Sequence, residues 1–421
     1  MEWSQKRYHF HRTKNYYPKI VMLLYEDART RVLTNSRTTP IQHLAPTQAL
    51  GRYLAEDIYT QQDLPYWNNS AMDGYAIRHE DIHRFSTLTI IEEIPAGYNP
   101  QKIVSAGTCS RIFTGAPVPM GADTVVIQEN VSVTASGIKI ETHPSLGANI
   151  RQKGEEFSAG SLIATAGTSI NVGLIGLCCA LGLQSIPVYR SPKIAVLSTG
   201  DELVPIKTQQ ILHPGQIWSS NNHTLCAAIA QSGGIAIDCG IARDSSTDTK
   251  RAFREALSHN PDLILSTGGV SVGDHDRVQE AFHDLGGKLD FWKVRVKPGK
   301  PLLMGHIQDT LFLGLPGNPV SALVSYWLFV YPLIKKSMGS INPDLPTHTA
   351  MLTHNLIKSH NRAEFIRMKL SADRTKTQST GNQSSSWISS LAVADALLYI
   401  PAESSGYNKG DTVSLFLIPS L

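Results

Sequence analysis

The sequence predicts a multidomain α/β protein. Its centre is a doubly wound, mainly parallel sheet, joined by an N-terminal helical or linker domain, an inserted small β domain and a C-terminal β-barrel or sandwich domain. Three observations lead there. The chain has 421 residues, 42% of them hydrophobic, which at roughly 100 to 200 residues per domain means about three or four cores. From Lys193 onward, short apolar strands alternate with helix-length amphipathic segments. Both before and after that stretch the texture changes to short Ile-, Val- and Thr-rich runs punctuated by glycine.

In chain order, residues 1–18 form a basic tail in which Lys6, Arg7, Arg12 and Lys14 stand among histidines and tyrosines. It reads as a solvated tail, with an arm for an acidic partner as the alternative. The apolar run Ile20–Tyr25 meets Glu26 and Asp27 without a small-residue cleavage site, so it is not taken as a signal peptide. Residues 19–64 together with 157–190 are assigned to a helical or linker domain. Helices are expected near Ile20–Leu33, at Pro46–Ile58, where Leu50, Leu54 and Ile58 share a face, and at Asn171–Leu183. The last contains the adjacent Cys178 and Cys179, taken as core. Residues 65–156 form the small β domain.

Residues 191–338 carry the α/β pattern. Strands are expected at Ile194–Leu197, Ile235–Ile241, Leu263–Ser266 and Phe291–Val296, with a strand pair around Leu302 and Leu313. Helices are expected at Asn221–Gln231, Thr247–Leu257, Asp276–Leu285 and, as one long buried helix, after Asn318. The segment Val320–Ile334 is apolar but shorter than the ~20 residues of a bilayer span and contains Pro332, so no membrane association is expected. Residues 339–421 form the C-terminal β domain, with a Ser/Thr-rich loop at Thr375–Ser386 and a final strand at Thr412–Ile418.

Charge and cysteine content exclude several functions. With 38 Lys and Arg against 35 Asp and Glu, the formal net charge is +3, which argues against nucleic acid as a partner. Five cysteines without a C-x-x-C pair make neither a disulfide framework nor a zinc site, and fit a reducing compartment. No Walker or G-x-G-x-x-G sequence is present.

Chemistry concentrates after the strands of the α/β domain. Gly200, Asp201 and Glu202 follow the first strand, and Arg243 and Asp244 the second. Gly268, Gly269, Gly273, Asp274 and Asp276 follow the third. Beyond them come Lys297, Gly299 and Lys300, then Gly314, Pro316, Gly317, Asn318 and Pro319. In a doubly wound sheet such loops converge on one edge. Carboxylates that hold a divalent cation, lysines, and glycine-exposed backbone N–H groups together suit an anionic ligand. Taken singly, Asp201 also fits a helix cap, Asp244 an Asx turn and Pro298-Gly299 a plain turn. The loops 68–75, with Asp73, and 114–117, with Thr114, fit oxyanion or acid–base work and tight turns alike.

Six segments, NNSAMDGYA (68–76), RIFTGAPVP (111–119), STGDEL (198–203), STGGVSVGDHD (266–276), KPGKP (297–301) and LPGNPVSA (315–322), closely resemble the MoeA family, to which the C-terminal region of gephyrin is related. The resemblance runs from about residue 20 to the end. It implies a cytoplasmic molybdenum-cofactor enzyme that inserts molybdate into adenylylated molybdopterin with release of AMP and help from Mg2+. It also implies a homodimer, with an adenylyltransferase as possible partner and molybdoenzymes downstream.

By position, the resemblance makes Asp73, Thr114, Glu202, Lys297 and Lys300 catalytic, and Asp244, Asp276 and Glu202 metal-binding. It gives Ser198, Thr199, Gly200, Gly268, Gly269, Ser271, Gly273, Asp274, Pro316, Gly317 and Asn318 to the substrate. Asn68, Glu156, Arg277 and Ser384 depart from the usual pattern. The competing readings are a molybdopterin adenylyltransferase, which shares the α/β domain, and a gephyrin-like interaction scaffold without turnover.

Overall fold

The computed structural model describes residues 22–206, 211–269 and 277–419, so the basic tail lies outside the described residues. The chain folds as two compact units, residues 43–50 with 54–187, and the remainder. The first helix, α1 (Tyr25–Thr34), belongs to the larger unit.

The smaller unit is built on a four-stranded mixed sheet. Its strands β1 (Gly74–Ile77), β2 (Thr89–Ile94), β3 (Thr108–Ile112) and β4 (Thr124–Ile127) lie in the order β2-β3-β1-β4. Both faces are covered: Tyr75, Ile77, Cys109 and Val126 pack on one side, and Ala76, Ile94, Ile112 and Val125 on the other. Gly74 is required where it stands, because a Cβ there would lie 1.9 Å from the carbonyl oxygen of Val126 on the neighbouring strand.

Two expectations fail in this part of the chain. The helix expected at Pro46–Ile58 is a single 3-10 turn, Pro46–Gln48, with Ile58 already in a short strand. Gly51 adopts φ +72°, which breaks a helix, and the N–H groups of Leu54 and Ala55 donate to the carbonyls of Thr168 and Pro187 instead of to their own turn. Helix α2 (Val172–Ala180) buries Cys178 but leaves Cys179 exposed. Neighbours on a helix point about 100° apart, so only one of the two cysteines faces the core.

The larger unit holds the α/β sheet: β5 (Lys193–Thr199), β6 (Ile235–Ala242), β7 (Leu263–Thr267), β8 (Lys288–Trp292), β9 (Leu303–Ile307) and β10 (Thr310–Leu315), in the order β6-β5-β7-β10-β9-β8. The first three pairings are parallel and the last two antiparallel. Side chains alternate between two cores, as a sheet buried on both faces requires. Ile194, Val196, Leu263, Leu265 and Leu313 pack with helix α3 (Asn221–Gln231). Ala195, Leu197, Ile264 and Phe312 pack with α4 (Ser246–Ser258) and α5 (Arg277–Asp284).

The long helix after Asn318 is interrupted: α6 (Pro319–Ser325) passes through a π turn, Tyr326–Val330, into α7 (Tyr331–Ser337). Pro332 has no N–H to give to residue 328, and a wider turn absorbs the loss. Residues 320–334 are buried throughout, and no helix among the described residues is long and apolar enough to cross a membrane.

The strand expected at Phe291–Val296 is also split. Lys293 takes φ +74°, and Val296–Lys297 leaves the α/β sheet to pair with the C-terminal domain. That domain is a closed five-stranded barrel of β11 (Thr347–Leu352), β12 (Ala363–Leu370), β13 (Lys376–Ser379), β14 (Ala396–Ile400) and β15 (Thr412–Leu417). It is ordered β12-β13-β11-β15-β14, and β14 returns to β12. Strand β13 occupies part of what the sequence suggested was a Ser/Thr loop. Val296–Lys297 adds to the barrel in parallel, with Val296 opposite Ala363 and Lys297 opposite Glu364.

Candidate functional site

A cleft of about 510 Å3 opens at the carboxyl ends of β5, β7 and β10. From the end of β5 it receives Ser198, Thr199, Gly200 and Glu202, and from the loop after β6, Asp244. Gly268 and Gly269 follow β7, and Pro316, Gly317 and Asn318 follow β10. Ten of the predicted residues are thereby brought to one place. Ser271, Gly273, Asp274 and Asp276 lie outside the described residues.

Each loop has a local reason for its form. Gly268 and Gly269 adopt φ +85° and +60°, and a Cβ on Gly268 would sit 2.5 Å from the Thr199 carbonyl oxygen. Gly317 faces Gly268, and a Cβ on it would touch the Gly268 Cα at 3.4 Å, an ordinary contact distance. Backbone therefore meets backbone on this wall. A Cβ at Gly200 would lie 2.5 Å from Glu202 Oε2, so the glycine leaves the space that the Glu202 carboxylate fills. Asp201, one residue earlier, accepts the N–H of Asp244 at 3.2 Å and does not line the cleft; it shapes the next loop.

The polar side chains differ in availability. Ser198 is fully buried, and its hydroxyl donates to Asn222 Oδ1 at 2.5 Å and shares a 2.8 Å hydrogen bond with Thr267. Asn222 in turn donates to Asp238 at 2.7 Å and to the Gly240 carbonyl at 2.8 Å. Ser198 is thus committed to tying α3 to the strand ends. Thr199 Oγ1 and Ser219 Oγ have no hydrogen-bond partner among the described residues, although both residues are buried and line the cleft. Asn318 does not cap α6 with its side chain; it donates to Ser385 of the C-terminal barrel at 3.2 Å.

Lys297 and Lys300 do not line this cleft, although Pro301 does. Lys297 makes an ion pair of 2.8 Å with Glu364, whose other oxygen lies 3.3 Å from His360 Nε2. Burial pushes the His360 pKa below its ordinary value; Glu364 opposes the shift and Lys297 adds to it. Lys293 lies over the Trp292 ring at 4.0 Å, and burial, followed by the nearby Lys300, lowers its pKa.

In the smaller unit, the structure joins Asp73 and Thr114. The N–H and hydroxyl of Thr114 both donate to Asp73 Oδ1, each at 2.8 Å. These bonds, the backbone one first, hold the exposed Asp73 carboxylate below its usual pKa, helped by Arg111. Arg111 itself lies 4.9 Å from the ring centres of both Tyr75 and Phe113. Asn68 accepts the N–H of Lys153 at 2.7 Å, a structural role for this departure from the family pattern.

Residues 23–182 match the MoeA N-terminal region (domain I and II), 195–336 the probable molybdopterin binding domain, and 349–418 the MoeA C-terminal region (domain IV). The chain is 37% identical over 383 residues to the molybdopterin molybdenumtransferase of Nostoc sp., covering 88% of this chain and 87% of the relative. The chain belongs to the MoeA family. It is 34% identical to the molybdopterin molybdenumtransferase of Haemophilus influenzae, over 94% of this chain and 98% of that one. Two solved structures of the MoeA protein from Pyrococcus horikoshii superpose with TM-scores of 0.82 and 0.80 at 30% and 28% identity. They cover 95% and 94% of this chain and all of theirs.

The sequence missed one side of the MoeA-type cleft. Leu203, Ile217, Trp218, Ser219, Ser220 and Asn221 line it as well. Residues 217–220 have no motif character. What places them is the parallel pairing of Leu203–Val204 with Ile217–Trp218.

Proposed function

We propose that this chain is a molybdopterin molybdenumtransferase that inserts molybdate into adenylylated molybdopterin and releases AMP, acting in the cytoplasm as a homodimer. The observation that supports it best is the meeting of Glu202 and Asp244 with the Gly268-Gly269 and Gly317 turns in one cleft. Two carboxylates alone repel a phosphate; two carboxylates with a divalent cation accept one.

The donor set suits Mg2+, which is commonly held by one or two carboxylates together with substrate phosphate. Glu202, for which Gly200 leaves room, and Asp244 would hold it, with Asp276 as the third candidate. When bound, the cation would supply positive charge against the phosphate oxygens. The chain's own residues do the rest. Glycine-rich backbone approaches the phosphate, and Thr199 offers a hydroxyl beside the Gly268-Gly269 turn. Lys297 and Lys300 are assigned to oxyanion charge and Asp73 with Thr114 to proton transfer or positioning, roles that rest on the family resemblance.

The test supplies purified protein with adenylylated molybdopterin, molybdate and Mg2+, and in parallel with ATP and free molybdopterin. AMP release coupled to activation of a cofactor-free molybdoenzyme, lost in Glu202→Gln, is the expected result. ATP consumption alone would replace the proposal with the adenylyltransferase, and silence in both arms with a binding protein.

A further inference from the structure

The cleft has two chemically different walls. One is glycine backbone, hydroxyls and carboxylates. The other is a short ribbon in which Leu203–Val204 pairs in parallel with Ile217–Trp218, Leu203 opposite Ile217. Ile217 is 53% exposed and Trp218 38%, so two large apolar side chains stand open in the cleft opposite the carboxylates. Next to them, Ser219 is 3% exposed, with a hydroxyl that has no partner among the described residues. A hydroxyl is both donor and acceptor, and buried without a partner it costs free energy. The phosphate-binding chemistry of the opposite wall explains none of these three side chains.

We infer that Ile217 and Trp218, which both line the cleft, supply its apolar contacts to the planar nitrogen heterocycle of the substrate, with the Ser219 hydroxyl bonding to the ring edge. This inference deepens the proposed function and rests on it. A flat aromatic ring covers apolar surface at low entropic cost, and its edge carries the donors and acceptors that Ser219 lacks. The ribbon would thereby act in substrate recognition and fix which end of the ligand meets Glu202 and Asp244. Adenine and pterin share this chemistry, so the experiment separates them.

Calorimetric titration of the full chain with AMP, 6-hydroxymethylpterin and ribose 5-phosphate, each in the presence of Mg2+, gives the answer. Parent protein is compared with Ile217→Ser, Trp218→Ala, Trp218→Phe and Ser219→Ala. Loss of these apolar contacts should weaken a heterocyclic ligand roughly tenfold or more in Trp218→Ala and Ile217→Ser. Ribose 5-phosphate should be unaffected, Trp218→Phe should stay near the parent, and Ser219→Ala should lose severalfold. A loss confined to AMP places adenine on the ribbon, and one confined to the pterin places the pterin there. Unchanged affinity for both heterocycles in both apolar variants overturns the inference while leaving the proposed function standing, as does equal weakening of ribose 5-phosphate. A parent protein that binds none of the three ligands overturns the reading of the cleft itself, and the ribbon's role with it.

Discussion

Replacing Lys297 by Ala should damage stability as well as turnover, and the two effects should separate. The ammonium lies 2.8 Å from Glu364; the side chains are 40% and 9% exposed, respectively. An exposed pair is worth about 0–1 kcal/mol, whereas breaking a buried one costs about 3–5. Here the carboxylate is nearly buried, the lysine is not, and His360 stays within 3.3 Å, so a cost of about 1–3 kcal/mol is expected. If Lys297 also neutralises oxyanion charge, turnover falls by roughly two to three orders of magnitude.

Glu364→Gln in the Lys297→Ala background removes the stranded charge. Urea unfolding should show the double variant recovering most of the lost stability, with activity still absent. The pH response gives a second reading of the same contact. Lys297 helps to keep His360 neutral, so without it His360 protonates more readily and takes over part of the pairing with Glu364. The stability gap between variant and parent should therefore be smaller at pH 6 than at pH 8. Recovered activity in the double variant, or a Lys297→Ala protein as stable as the parent at both pH values, would refute the reasoning.

In the parent protein, the depressed His360 pKa favours the neutral ring in the fold. Stability should be full above the ordinary histidine value of about 6.5 and decline as pH falls below it, with a shallower slope in His360→Asn, measured by unfolding against pH. Gly200→Ala should displace the Glu202 carboxylate, since the new Cβ would lie 2.5 Å from it, with roughly a hundredfold loss of turnover, and the φ of +156° at this glycine strains any side chain, so the melting temperature should fall as well. Ser198→Ala should cost about 1 kcal/mol of stability and leave AMP affinity within about twofold, because its hydroxyl bonds to Asn222 and Thr267; a large affinity loss would return Ser198 to the binding residues. Asp73 is held ionised by Thr114, so Asp73→Asn should leave any acid limb between pH 5 and 7 in kcat/KM where it was, whatever it does to the plateau.

The α/β core was legible because its physics is local and repetitive. Runs such as Ile194–Leu197 and Leu263–Ser266 are apolar on both faces, and the intervening helices carry the 3.6-residue pattern, so Asn221–Gln231 is observed as expected. The cleft followed from the same regularity, since loops after parallel strands must share an edge. What failed depended on distant pairing or on backbone conformation. Gly51 ended a helix that the spacing of Leu50, Leu54 and Ile58 suggested. Lys297 was grouped with the cleft because it follows a strand, but its two-residue strand pairs with Ala363 and Glu364. Ile217 and Trp218 are invisible in any local window, and only their register with Leu203–Val204 carries them to the cleft.

The central claim is that this cleft couples molybdate to the release of AMP. Its most direct test is a single turnover of adenylylated molybdopterin with Mg2+, followed with and without molybdate, in the parent protein and in Asp244→Asn. AMP release that requires molybdate in the parent and falls at least a hundredfold in the variant is the predicted result; release at the same rate without molybdate, or undiminished in Asp244→Asn, would contradict it.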